Sequence, residues 1–93
     1  MYLHIGSDQM LSLQQIISIH DIRIFSSEEN KKYFLRMEKA GKVFHFEDKK
    51  PKSAVLTEDG IYLSAISSLT LKRRAGLLLD DDKYGTKMEE EEI

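Results

Sequence analysis

The stretch from Pro51 to Gly76 constrains the fold more than any other part of this 93-residue chain. Two runs rich in β-forming residues, 53–58 and 61–66, flank the dipeptide Asp59-Gly60, which is typical of a two-residue type I′ turn. The stretch therefore predicts a β-hairpin with one apolar face. The expected opposite pairs are Leu56 with Leu63 and Ala54 with Ala65. The other face would carry Val55, Thr57, Tyr62 and Ser64.

A helix is predicted to follow the hairpin. Ser67 or Ser68 offers a side-chain oxygen to the free N–H groups of its first turn. Apolar residues then recur at i, i+4, i+7 and i+8, the spacing of a core-facing helical stripe. The stripe consists of Leu71, Ala75, Leu78 and Leu79. Three basic residues lie between these apolar positions: Lys72, Arg73 and Arg74.

The N-terminal part of the chain predicts further strands. Tyr2 to Ile5 has the pattern of a short strand and is followed by a turn at residues 6–9. In the apolar run from Ile16 to Phe25, the isoleucines alternate with period two, but the phase changes at His20-Asp21. A phase change of this kind indicates either a β-bulge or two successive strands.

The middle of the chain predicts a second helix with well-marked ends. Ser26 and Glu29 fit a capping box at its start, and Gly41 suits the position just beyond its end. Its inner stripe is expected to consist of Tyr33, Phe34, Met37 and Ala40. Val43 to Phe46 forms another predicted strand. The fold class that follows is α+β: a small, mostly antiparallel β-sheet with two helices, in one domain over residues 1–79.

The net charge of −2 is divided unequally along the chain. Residues 1–79 carry 12 Lys and Arg against 9 Asp and Glu, a net charge of +3. Residues 80–93 carry 2 Lys against 7 acids, a net charge of −5. A terminal acidic run of this kind is typical of a solvated, mobile tail. The alternative is that the tail competes with an anionic ligand for the basic face of the domain.

A basic loop is predicted over residues 47–52, where Pro51 keeps the chain extended and prevents a helix. Lys49, Lys50 and Lys52 place three positive charges within four positions. Composition alone favours an ordinary charged surface loop. The same loop could also bring its lysines to an anionic partner.

Several classes of function are disfavoured. Without cysteine there are no disulfides and no thiolate metal sites, and the composition is compatible with a reducing cytoplasm. No apolar run approaches the roughly 18 residues of a membrane span, and no signal-peptide pattern begins the chain. His4, His20 and His45 lack the spacing of metal ligands, and no serine has a nucleophile-elbow setting. We therefore expect an intracellular protein that is not an enzyme and needs no cofactor or metal.

Three segments, MYLHIGSDQ, PKSAVLT and IYLSAISSLTLKRRA, together resemble the RemA/RemB family of extracellular matrix regulators of Gram-positive bacteria. The likeness is greatest to the RemB branch and covers about residues 1–76, most strongly in the hairpin and the last helix. Ala65 stands where the family usually has proline.

The resemblance implies a regulator of matrix and biofilm genes that binds double-stranded DNA from closed rings. Lys49 and Lys50 match a pair of DNA-contacting arginines, Lys52 matches a nearby basic position, and Gln15 matches a further arginine. Lysine lacks the fork geometry of arginine, and glutamine brings no charge, so these contacts would be weaker than arginine contacts. The helix cations Lys72, Arg73 and Arg74 are the next candidates for DNA binding.

Two functions remain open at this point. The first is a cytoplasmic, nucleoid-associated DNA-binding regulator that acts as a homo-oligomer larger than a dimer. Because repetition multiplies weak phosphate contacts, a ring would bind DNA although one protomer offers few lysines. The second is an interaction module that binds another protein, such as a RemA-type partner, and never contacts DNA.

Overall fold

Six strands and two α-helices make up residues 1–77, the part of the chain that the structure, a computed structural model, describes. The strands are β1 (Tyr2–Gly6), β2 (Gln9–Ser12), β3 (Ile16–Asp21), β4 (Val43–His45), β5 (Ser53–Thr57) and β6 (Gly60–Ser64). Helix α1 (Glu28–Lys39) lies between β3 and β4, and α2 (Ser68–Arg74) follows β6. Two short 3-10 helices, Leu13–Gln15 and Ile22–Ser26, flank β3. The predicted α+β class with two α-helices is confirmed.

The strands form two sheets. A four-stranded sheet has the order β3-β5-β6-β4, and β1 and β2 form a separate two-stranded ribbon. All pairings are antiparallel except that of β4 with β6, which is parallel. The ribbon turns at Ser7 and Asp8, which both have positive φ. The strand predicted at the N-terminus is therefore one half of a hairpin whose turn lies where the sequence placed it.

Both faces of the four-stranded sheet are buried. Helix α1 and the 3-10 helix Ile22–Ser26 cover one face, and the β1–β2 ribbon and α2 cover the other. The core under α1 contains Ala54, Ile61 and Leu63 with Phe25, Tyr33, Phe34 and Met37 packed against them. The core under the ribbon contains Leu3, Ile5, Leu11, Ile19, Val55 and Leu71. The predicted inner stripe of α1 is correct except for Ala40, which is exposed at the helix end.

The register of the β5–β6 hairpin differs from the prediction by two residues. Leu56 pairs with Ile61 and Ala54 pairs with Leu63, so the predicted pairs are wrong. The turn consists of Glu58 and Asp59, and neither has positive φ, so it is not type I′. Its shape follows from Thr57, whose Oγ1 accepts hydrogen bonds from the backbone N–H groups of Asp59 (3.0 Å) and Gly60 (3.2 Å). A two-residue shift keeps every side chain on its predicted face.

The isoleucine-rich segment ends its strand earlier than predicted. Strand β3 stops at Asp21, whose carboxylate accepts a hydrogen bond from the Arg23 N–H at 2.8 Å and caps the following 3-10 helix. The phase change at His20-Asp21 is therefore a strand-to-helix transition, and neither a bulge nor a second strand. The irregularity in the β3–β5 pairing lies instead between Ile16 and Ser18.

The helix ends show how side chains set the boundaries. Ser27, and not the predicted Ser26, caps α1, because its side chain accepts the Asn30 N–H. Ser67, one of the two predicted serines, caps α2 in the same way. Both helices close with a glycine of positive φ, Gly41 and Gly76, in paired hydrogen bonds of the Schellman type. Leu78 and Leu79, predicted to extend the stripe of α2, lie outside the described residues, as does the acidic tail.

Neither α-helix within residues 1–77 has the length and apolar character needed to cross a membrane.

Candidate nucleic-acid interface

The three lysines of the basic loop are exposed between β4 and β5. The downstream end of the loop is fixed by backbone hydrogen bonds at Lys52. Its N–H donates to the Ser64 carbonyl oxygen at 2.7 Å, and its own carbonyl oxygen accepts from the Ile22 N–H at 3.0 Å. Lys52 is thus tied to the end of β6, while its side chain remains exposed.

The upstream end of the loop is fixed by side chains. The Glu47 carboxylate accepts a hydrogen bond from the Ala65 N–H at 3.1 Å. The ring nitrogen Nε2 of His45 lies 3.2 Å from the Lys49 carbonyl oxygen, which makes Nε2 the donor. The Lys52 end of the loop is therefore bonded to Ser64, and the Glu47 end is bonded to the next residue, Ala65. Lys49 and Lys50 lie between these two fixed points.

Two buried serines support the strand ends to which the loop is tied. Ser53 and Ser64 pair directly across the hairpin, and both have 0% exposure. The Ser64 hydroxyl donates to the Ile5 carbonyl oxygen at 2.7 Å and accepts from the Ile66 N–H at 3.0 Å. The Ser53 hydroxyl donates to the Ile66 carbonyl oxygen at 2.7 Å. These bonds join β1, β5, β6 and the approach to α2.

The sequence analysis missed this pair of serines. The available signal was a serine at the outer end of each strand of an otherwise apolar hairpin. Buried hydroxyls need hydrogen-bond partners, so serines at such positions indicate a local network.

The lysines of the basic loop have no carboxylate within ion-pair distance among residues 1–77. Across that part of the chain, the ion pair that forms is between Arg23 and Asp21, at 2.9 Å; the Arg23 side chain is largely exposed and that of Asp21 is about half exposed. Hydrogen bonds from Arg23 hold the pKa of Asp21 below its usual value, and the same partnership raises the pKa of Arg23. The basic loop can therefore offer its charge to an external anion without first breaking an ion pair to any carboxylate of residues 1–77.

Gln15 lies at the other end of the sheet from the basic loop. Its side-chain oxygen accepts the Ser12 N–H at 3.0 Å, and its Nε2 donates to the Asp59 carboxylate at 3.2 Å. Asp59 belongs to the hairpin turn, whereas Lys52 precedes the opposite end of β5. At about 3.3 Å per residue, the length of β5 separates them by roughly 15 Å. Within one chain, the structure does not bring Gln15 together with the loop lysines.

The cations of α2 form a separate basic surface. Arg73 and Arg74 are exposed in the last turn, where positive charge suits the helix dipole. Lys72 is half-buried, and its charge reaches His20 on β3. Because α2 packs on β3 and β1, its cations belong to the β3 edge of the sheet, whereas the basic loop crosses one end of the sheet from β4 to β5.

Apolar side chains are exposed beside both edge strands of the four-stranded sheet. Beside β3 is a groove of about 180 Å³, and the side chain of Ile17 at this groove is 67% exposed. This β3 groove is lined by Leu13, Ile16, Ile17, Ala75 and Leu77. At β4, the rings of Phe44 and Tyr62 lie 4.7 Å apart, and Phe46 stacks beside Phe44 with 49% of its surface exposed. These three rings form the aromatic cluster.

Comparison with known proteins gives two matches. A model of the RemA-like family, described as extracellular matrix regulatory protein A-like, matches residues 2–75. The chain is also 38% identical over 82 residues to extracellular matrix regulatory protein B of Bacillus subtilis (strain 168). That alignment covers 88% of this chain and 99% of the Bacillus protein.

Proposed function

Because the chain belongs to the RemA-like family of extracellular matrix regulatory proteins, we propose that it regulates matrix gene expression by associating with DNA. The family resemblance that the hairpin motifs predicted is confirmed by both matches. In the proposed mechanism, a homo-oligomer presents its basic loops to the DNA backbone. This role requires a cytoplasmic protein associated with the nucleoid.

The observation that carries the proposal is the state of the basic loop. Lys49, Lys50 and Lys52 are exposed, the backbone of the loop is tied at both ends, and residues 1–77 supply no carboxylate within ion-pair distance of these lysines. Lysine ammonium groups neutralise phosphates and release the counterions condensed on DNA. A fixed loop holds these charges in place before the DNA arrives, so less conformational entropy is lost on binding.

Assembly is needed because three lysines neutralise few phosphates. The β3 groove and the aromatic cluster support a contact between copies, since they lie beside opposite edge strands of the same sheet. A contact between two different surfaces of identical chains generates either a closed ring or an open filament. A closed ring would repeat the basic loop on every protomer, and the phosphate contacts would then act together.

Sequence preference is expected to come mainly from DNA shape. Phosphate contacts fix the position of a protein on the duplex but do not read its bases. The exposed lysines of the basic loop are suited to phosphates, and α2 has seven residues with its basic side chains in the last turn. A curved array of loops would favour DNA that bends at low energetic cost.

The proposal is tested with the triple variant Lys49→Ala, Lys50→Ala, Lys52→Ala in a DNA-binding titration across a salt series. We expect affinity for unrelated duplexes to fall more than tenfold at low salt. The slope of log K against log salt should shrink by roughly 0.9 for each lysine that contacts a phosphate. Thermal stability should change little, because exposed substitutions usually alter stability by less than about 0.5 kcal/mol.

A matched control removes the same charge from α1, where Lys31, Lys32 and Lys39 are also exposed. The triple alanine variant of these residues should retain most of the affinity and the slope. Light scattering on all three proteins should show the same species, larger than a dimer, so that lost binding is not lost assembly. Equal loss of binding in both triple variants would contradict the proposed role of the basic loop.

The second candidate is a protein-interaction module, and the β3 groove favours it. An exposed isoleucine beside an open apolar groove is more typical of a protein contact than of a DNA contact. In that case the partner would be another protein, such as a RemA-type regulator, and the chain would not bind DNA at any salt concentration. The salt series on the unaltered chain separates the two functions.

A further inference from the structure

We propose that Glu47 is the positioning residue of the basic loop: its carboxylate ties the loop to the end of β6 and so holds Lys49 and Lys50 ready for phosphate. The inference rests on the proposed DNA-binding function. It assigns a role in that function to a residue whose own charge opposes it.

The tie joins segments that are distant in the sequence. Glu47 is half-buried, lies two positions before Lys49, and accepts the Ala65 N–H at 3.1 Å across a separation of 18 residues. A hydrogen bond to an ionised carboxylate is stronger than one between neutral groups. Glu47, the first residue of the basic loop, is therefore anchored to the segment that leads into α2. The next two residues, Asp48 and Lys49, are exposed.

Gly6 provides the space that the carboxylate occupies. A Cβ atom on Gly6 would lie 2.7 Å from Glu47 Oε2, closer than real side chains allow. The φ of Gly6 is +110°, a backbone conformation that residues with a side chain rarely adopt. The end of β1, the end of β6 and the start of the basic loop thus form one socket around Glu47.

The consequence for the lysines is a short, doubly anchored segment. Glu47 bonds to Ala65, and Lys52 bonds through its N–H to Ser64, so residues 48–51 bridge two fixed points on adjacent residues. A segment held in this way has few backbone conformations to lose when it binds. Release of the Glu47 end would leave the His45 contact to Lys49 as the remaining tie upstream.

Charge and positioning predict opposite effects for the loss of Glu47. A carboxylate beside a basic loop repels phosphate, so its removal would tighten DNA binding if only charge mattered. If the carboxylate positions the loop, Glu47→Ala should weaken DNA binding about three- to tenfold. This is roughly the loss of affinity expected when one or two additional side chains must be ordered on binding. The salt slope should stay the same, because the lysines that contact phosphates are unchanged.

Two further variants sharpen the test. Glu47→Gln keeps an oxygen that can accept the Ala65 N–H but removes the charge, so it should bind DNA at least as tightly as the unaltered chain. Asp48→Ala removes a neighbouring exposed charge without touching the tie, and it should bind slightly more tightly. Tighter binding by Glu47→Ala, equal to that of Asp48→Ala, would overturn the proposal.

A measurement without DNA separates this inference from the proposed function. The backbone order parameters of residues 48–50, measured by NMR relaxation, should fall in Glu47→Ala and stay unchanged in Glu47→Gln, with those of β5 and β6 unchanged in both. Unchanged order parameters at residues 48–50 in Glu47→Ala would overturn the role of Glu47. Absence of DNA binding by the unaltered chain would overturn the proposed function instead.

Discussion

The position of His20 in the fold lowers the pKa of its imidazole ring. It is half-buried on β3, and its Nε2 lies 2.9 Å from the Ser18 hydroxyl. Burial lowers the pKa of His20 below its ordinary value of 6.5, and the nearby positive charge of Lys72 lowers this pKa further. The folded protein therefore takes up a proton at His20 less readily than the unfolded chain does.

This difference predicts a loss of stability as the pH falls. Below about pH 6.5 the unfolded chain binds more protons than the folded protein, so the free energy of unfolding decreases from pH 7.5 to pH 5.5. His20→Gln should make this decrease shallower, as measured by urea unfolding at several pH values. An equal slope for the unaltered chain and His20→Gln would contradict the assignment.

The residues of the candidate site differ in how far the sequence could predict them. Lys49, Lys50 and Lys52 could be singled out because clustered charge next to a proline indicates an exposed loop, and the structure places them on one. Gln15 could not be placed, because its partner Asp59 lies 44 residues away. The role of Glu47 depends on a glycine in one strand and an N–H beyond another, and no local pattern links these three segments.

In the β5–β6 hairpin, the period-two alternation of residues determines the face on which each side chain lies but does not determine the register of the two strands. Alternation with period two predicted the faces of β5 and β6 correctly. The register was wrong because it depends on the turn, and a dipeptide preference for Asp59-Gly60 was outweighed by the hydrogen bonds of the Thr57 hydroxyl. Gly60 consequently belongs to β6, where it pairs with Thr57.

Two features require glycine at position 60: the close approach of Lys42 and the positive φ of the backbone. It has a φ of +144°, and a Cβ atom there would collide with the carbonyl oxygen of Lys42, which accepts the Ile61 N–H at 2.9 Å beside the start of β4. Gly60→Ala should therefore cost roughly 2 kcal/mol or more of unfolding free energy, measured by urea denaturation.

Gly41→Ala is the matched comparison for this prediction. Gly41 also has positive φ, but nothing lies within 4 Å of the position where its Cβ would be. Its replacement should cost about 1 kcal/mol, the strain of a left-handed residue alone. Equal costs at the two glycines would show that the close approach of Lys42 does not constrain β6.

The burial of both faces of the four-stranded sheet could not be predicted from the sequence pattern of the β5–β6 hairpin alone. The sequence indicated one apolar face, yet Val55 on the second face is fully buried under the ribbon and α2. Short strands with serine and threonine at alternate positions have the pattern of a half-exposed sheet. Their burial becomes possible because Ser53, Thr57 and Ser64 form hydrogen bonds to nearby backbone groups.

The unequal distribution of charge along the chain also bears on the proposed DNA binding. Residues 1–77 have a net charge of +3 and contain the basic loop and the cations of α2, whereas residues 80–93, outside the described part, have a net charge of −5. A tethered segment meets its own domain at an effective concentration in the millimolar range when the linker is short. Even weak pairing of the acidic segment with the basic surfaces would then compete with DNA.

Deletion of residues 80–93 should therefore tighten DNA binding, most strongly below about 0.1 M salt, where charges are least screened. Above that concentration, screening weakens the competition and the gain should shrink. A full-length variant in which the seven acids of residues 80–93 become Asn or Gln keeps the bulk of the segment and should match the deletion. DNA titrations of the three proteins across a salt series provide the measurement. If the deletion binds no better than the full chain at low salt, the acidic segment plays no part in DNA binding, whatever the basic loop does.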